Sequence, residues 1–206
     1  MSVERPGCRA ILIDIGGVLV PSPLTAAAAE WSTRLGVSQR AFLTAVFDGN
    51  DDQVLVGRMT EESWWGIVQE RLRIGRDLLD EIQHDLASRE TWDDTLVSYL
   101  RGLRGKARTA IVSNAWPQMR IQMSDGGLLD IVDAIVLSCE VGYAKPDPRI
   151  YATALQRISA DPADTLFIDD TPGHVTTAET LGMTGHLHTN TKDTITRITD
   201  FLRPPH

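Results

Sequence analysis

The chain has 206 residues, of which 42% are hydrophobic and 23% charged, enough apolar material for a core of ordinary size and far from the composition of a disordered segment. Its 20 Lys+Arg against 28 Asp+Glu give a formal charge of -8, which argues against a surface that tracks a nucleic-acid backbone or an anionic membrane. No stretch approaches the roughly 20 apolar residues of a membrane span, and the N-terminus lacks the basic-then-apolar layout of a secretory signal, so the chain is expected to be cytoplasmic.

In chain order, residues 9–14 (Arg-Ala-Ile-Leu-Ile-Asp) form a short apolar run that ends in an acid and two glycines, the pattern of a buried strand entering a tight turn. From about Leu24 to about Glu90 there is no strand pattern, and amphipathic spacing predicts helices over Leu24–Leu35, Gln39–Phe47, Thr60–Leu72 and Arg76–Leu86. Beyond it the strand pattern returns at Thr109–Ser113, Ala134–Ser138 and Thr165–Asp169, and more weakly at Met183–Leu187. Helical spacing fills the gaps at Trp92–Leu103, Pro117–Met123, Pro148–Ile158, Val175–Leu181 and Thr194–Leu202. Strands that alternate with helices pair in parallel through right-handed crossovers. The expectation is an α/β chain: a Rossmann-like three-layer core over residues 1–21 and 91–206, interrupted by a helical bundle over residues 22–90.

Ligands of an open parallel sheet collect beyond the carboxyl ends of its strands. Asp14, Ser113-Asn114, the loop up to Lys145 and Asp169-Asp170 stand at those ends. Three carboxylates gathered at one rim repel one another, and a hard divalent cation such as Mg²⁺ relieves the repulsion while keeping positions for water and a phosphate oxygen. A hydroxyl and an ammonium beside them suit a phosphoryl group, and a carboxylate held between metal and lysine can act as a nucleophile. Buried acids at strand ends also cap helices as plain structure, so position alone leaves both readings open.

In sequence, Asp14-Ile-Gly-Gly-Val-Leu, Ile111-Val-Ser-Asn114, Gly142-Tyr-Ala-Lys-Pro-Asp147 and Phe167-Ile-Asp-Asp170 resemble, in order, the four motifs of the haloacid dehalogenase superfamily. The helical insertion sits where class I members carry a cap, and the pattern is similar to the branch of sugar-phosphate phosphatases such as α-glucose-1-phosphate phosphatase. The resemblance implies that Asp14 is the nucleophile and that Ser113, Asn114 and Lys145 bind the phosphoryl group. It implies that Asp14, Asp170 and the Gly16 carbonyl hold Mg²⁺, with Asp169 assisting directly or through water, and that the partner is a small phosphorylated metabolite rather than nucleic acid or membrane.

Two positions depart from the family pattern. Gly16 replaces the second acid that protonates the leaving group and then activates water, a contribution of roughly 10²- to 10⁴-fold in rate. The alternatives are a substitute proton donor, a substrate whose leaving group needs little protonation, or a slow or silent phosphate-binding homologue. His174 stands where relatives commonly carry Asn or Asp, and Asp170, Lys145 or a water are its expected partners. Dehalogenation would also use Asp14 but needs no metal, so the extra acids argue against it.

Several features have plain readings. Trp64-Trp65 is expected to pack the insertion, Trp116 competes for the pocket mouth, and His186 and His188 are expected as surface histidines. Arg101, Arg104, Lys106 and Arg108 suit a helix dipole. Cys8 and Cys139 lie outside any CxxC or Cys/His spacing, so neither a disulfide framework nor a zinc site is expected. The fingerprints GxGxxG and GxxxxGK[ST] are absent, which excludes dinucleotide and P-loop readings.

Overall fold

A computed structural model describes residues 9–21, 24–48, 53–89 and 91–203; Cys8 and the 204–206 tail lie outside the described residues. Five strands, β1 (Ala10–Ile13), β2 (Arg108–Ser113), β3 (Ala134–Leu137), β4 (Thr165–Asp169) and β5 (Thr184–Leu187), form one sheet in the order β3-β2-β1-β4-β5, with every adjacent pair parallel. The register sets Ile13 beside Ile111 and Ile168, so the chain leaves β1, β2 and β4 at one common edge. Asp14 continues that ladder by donating its N–H to the Ile168 carbonyl at 3.0 Å.

The central strands are apolar on both faces because both are covered. Ile11, Ile13, Ile111, Leu166 and Ile168 share one core cluster with Leu96, Val97 and Leu100 of α5 (Asp94–Arg101) and Ile198 of α10 (Thr191–Leu202). Ala10, Leu12, Ala110, Val112 and Phe167 face the other way, against Ile150, Tyr151 and Ala154 of α8 (Pro148–Ile158) and Ala178 of α9 (Pro172–Thr180). Period-two alternation along each strand thus makes a three-layer α/β core.

Four helices leave the sheet between β1 and α5: α1 (Leu24–Leu35), α2 (Gln39–Phe47), α3 (Glu61–Leu72) and α4 (Arg76–Arg89). Ser38 caps α2, its hydroxyl accepting the Ala41 N–H at 3.1 Å, and Thr60 caps α3 through the Ser63 N–H at 3.2 Å. These helices bury a cluster of their own, including Trp31, Phe42, Trp64, Val68, Leu79 and Ile82. Trp64 is only 1% exposed and gives its indole N–H to the Val46 carbonyl at 2.9 Å. Trp65 leans edge-on against Trp116, with ring centroids 5.3 Å apart, and ties the insertion to the loop after β2.

The differences from expectation are local. A one-turn helix, α7 (Ser138–Val141), begins at the residue where the third apolar run was expected to end as strand. The helix after β2, α6 (Met119–Asp125), starts later than Pro117. Helix α9 starts at Pro172, three residues before the periodic stretch, because proline suits a first helical turn. The basic cluster uses guanidinium groups on loop carbonyls, Arg101 on Gly127, Arg104 on Asp130 and Arg108 on Ser159. His186 and His188 are half-buried instead of free at the surface, each with a ring nitrogen on the Thr194 hydroxyl, at 3.1 and 2.8 Å. Among the described residues no helix is long and apolar enough to cross a membrane.

Candidate active site

The rim where β1, β2 and β4 end gathers the residues singled out from the sequence. Lys145 comes from the loop between α7 and α8, and its ammonium is fully buried between two acids, 2.8 Å from Asp14 Oδ1 and 2.6 Å from Asp169 Oδ2. Ser113, the last residue of β2, is 2% exposed and stands beside the Asp14 carboxylate, where its hydroxyl favours the ionised form. Asp14 is 6% exposed and also accepts the Ile15 N–H at 2.7 Å, which holds the carboxylate over its own turn.

Asp169 is fully buried and meets three donors. Its Oδ1 accepts the Thr171 N–H at 2.8 Å and lies 3.0 Å from His174 Nδ1, while Oδ2 takes Lys145. His174 therefore meets Asp169, not Asp170, Lys145 or a water alone. That contact requires a proton on Nδ1, since the carboxylate accepts. The Tyr151 hydroxyl donates to the His174 carbonyl at 3.0 Å and anchors the start of α9. Asp170 is exposed and bonded by the Thr171 hydroxyl at 3.3 Å.

Asn114 has a partner that spacing did not suggest. Its Oδ1 accepts the Lys145 N–H at 2.6 Å and its Nδ2 donates to the Lys145 carbonyl at 2.9 Å. Both polar atoms of the carboxamide thus engage the main chain of the lysine.

The electrostatics are asymmetric. Burial pushes the Asp14 carboxyl above its usual range despite the Lys145 ammonium, and the neighbouring Asp169 charge adds to the push. Burial also presses Asp169 upward, but the His174 hydrogen bond and the Lys145 ammonium outweigh it and hold that carboxyl below its usual range. Asp14, Asp169 and Asp170 each bring one carboxylate oxygen within 4.8 Å of the others. Three carboxylates against one lysine leave net negative charge, and an all-oxygen donor set of this kind fits a hard divalent cation. Such an ion would offset the cost of keeping Asp14 ionised. The turn after Asp14 leaves room: the Gly17 N–H and Val20 N–H are bonded to Val20 and Ile15 carbonyls, and none of the described residues donates to the Gly16 carbonyl. Gly17, at φ +73°, lies so close to Asp170 that an added Cβ would sit 1.9 Å from its Oδ2. The second glycine of the turn is thus a requirement of the acid cluster.

Comparison with known proteins identifies the family and the fold. A family model for haloacid dehalogenase-like hydrolases matches residues 8–182. The chain is 29% identical over 196 residues to bifunctional epoxide hydrolase 2 of Sus scrofa, covering 85% of this chain and 35% of that protein. It therefore spans about a third of that relative's length. Two solved structures share the fold. One, described as a predicted HAD-like family hydrolase from Porphyromonas gingivalis, has a TM-score of 0.77 at 24% identity and covers 96% of this chain and 99% of its own. The other is a HAD family enzyme of Bacteroides thetaiotaomicron in complex with magnesium and inorganic phosphate, with a TM-score of 0.71 at 22% identity, covering 89% and 95%. The matched span contains Asp14, Ser113, Lys145 and the Asp169-Asp170 pair, and the chain belongs to the haloacid dehalogenase-like hydrolase family.

Proposed function

We propose that the protein is a Mg²⁺-dependent phosphatase of a small phosphorylated metabolite, with a sugar phosphate the favoured class, working through an aspartyl-phosphate intermediate. The observation that carries this reading is the three-carboxylate cluster closed around one fully buried lysine. The magnesium and phosphate complex of the Bacteroides thetaiotaomicron enzyme supports it by likeness. Asp14, Asp170 and the Gly16 carbonyl would hold Mg²⁺, with Asp169 assisting. Bound there, the ion supplies charge stabilisation to phosphoryl oxygens.

Asp14 attacks phosphorus with its free carboxylate oxygen, and the bond from phosphorus to the ester oxygen breaks. Ser113 donates to a phosphoryl oxygen, and Lys145 offsets charge on the same group and on Asp14. Water then attacks phosphorus, returning Asp14 and releasing inorganic phosphate. The helices α1–α4 act as a cap that excludes bulk water and selects the organic moiety. With Gly16 the departing oxygen takes its proton from water, so anomeric and acyl phosphates are favoured over simple alkyl phosphates.

Release of phosphate from p-nitrophenyl phosphate tests the reading. Turnover that needs Mg²⁺, stops with a chelator and is lost in Asp14→Asn is the expected result. Phosphate binding without turnover in the unaltered protein would replace the enzyme by a binding module. A substrate panel in which primary-alcohol phosphates match anomeric ones would remove the leaving-group argument.

A further inference from the structure

We propose that Asn114 is a positioning residue that acts on the phosphoryl site only through Lys145; the inference rests on the phosphoryl-binding role of Lys145 given above. Lys145 lies on a loop outside any helix or strand, yet its ammonium is fully buried between two carboxylates. A flexible four-carbon arm on a free loop would not hold that placement to the fraction of an ångström that such a site requires. Something must fix the main chain from which the arm departs.

The Asn114 carboxamide closes a two-bond ring on that main chain, accepting from Lys145 N–H at 2.6 Å and donating to Lys145 C=O at 2.9 Å. One acceptor and one donor on a short arm are needed at once, which asparagine has and aspartate lacks. The pairing also fixes which end of the carboxamide is oxygen. The other side of the bridge is equally anchored. Ala115, the next residue, gives its N–H to the Ser138 hydroxyl at 3.0 Å and accepts from the same hydroxyl at 3.5 Å. Ser138 is fully buried and begins α7 at the end of β3. Asn114 thus spans from the ends of β2 and β3 to the lysine loop, across 31 residues of sequence.

A double-mutant cycle on the full chain tests this, read as inorganic phosphate affinity in the presence of Mg²⁺ by calorimetry or ³¹P titration. Asn114→Ala is expected to weaken phosphate binding about tenfold in the native background and less than about twofold in the Lys145→Ala background. Equal losses in both backgrounds would overturn the proposal by showing that Asn114 touches the ligand itself; no loss in the native background would overturn it as well. Asn114→Ser, which retains a polar atom, runs the same cycle should Asn114→Ala fail to fold. Because the readout is binding, a protein that binds phosphate but turns over no ester would refute the phosphatase reading and leave this one standing.

Discussion

At the scale of single residues, the two glycines after Asp14 have opposite tolerances. An added Cβ at Gly16 meets nothing within 4 Å, whereas one at Gly17 would collide with Asp170. Gly16→Asp is therefore expected to fold and to place an acid beside the leaving group. Hydrolysis of alkyl phosphates should rise by about 10²-fold, with steady-state rates on a primary-alcohol phosphate as the check. Gly17→Ala should push Asp170 off its position and, in the left-handed region, strain the turn. Weakened Mg²⁺ activation at unchanged secondary structure would show it, and an unaltered metal titration would contradict it. Gly16, Asp14 and the acid pair were legible in the sequence as strand-end motifs. The Asn114 carboxamide's grip on Lys145 was not, because a contact across 31 residues leaves no local pattern. His174 was legible as an anomaly, yet its partner depended on α9 starting at Pro172 and turning the ring onto Asp169.

At the scale of elements, β1 to β4 were readable because each is a short apolar run that stops at or just before a small polar or acidic residue, whereas the half-buried β5 left a weaker pattern. Helix α7 was not readable, since four residues are too few to show a 3.6-residue period. The junction where the chain returns from α4 to the sheet hinges on Asp93. Its carboxylate caps α5 by accepting the Leu96 N–H at 2.9 Å and also takes the Thr191 hydroxyl of α10, while its own N–H donates to Leu19 at 2.8 Å. One side chain therefore fastens two helices beside the strand of chain that leads into the inserted helices. Asp93→Ala is expected to cost about 1–2 kcal/mol of stability, and Asp93→Asn, which still caps, to recover most of it. Chemical denaturation of the two variants measures the difference; equal stability of both with the native chain would deny the junction its role.

At the scale of the whole molecule, the sheet brings acids from the ends of β1 and β4 to one edge, and the insertion rests on that edge through Trp65 and Trp116 and through Gly57, where an added Cβ would sit 2.2 Å from the Cys139 carbonyl oxygen. That seam was invisible in sequence, because it joins residues on separate helical and loop segments. Two half-buried histidines at the end of β5 also set a pH limit on the fold. Burial lowers the pKa of His186 below its ordinary 6.5, aided by Arg197 and His188 and opposed by Asp193. Burial likewise lowers His188, against the pull of Asp170 and Asp93. The folded chain binds fewer protons than the unfolded one in that range, so stability is full above the unfolded value and is lost as pH falls through it. The melting temperature should fall between about pH 7 and pH 5, and His186→Asn should flatten the slope. The proposed phosphatase chemistry rests on one claim, that Asp14 and the β4 acids share a divalent ion that turns phosphorus toward Asp14. A crystal structure with Mg²⁺ and vanadate tests it most directly. Vanadium bonded to an Asp14 oxygen, with the ion between Asp14 and Asp170, is the expected result; an empty rim, or vanadate held away from Asp14, would contradict it.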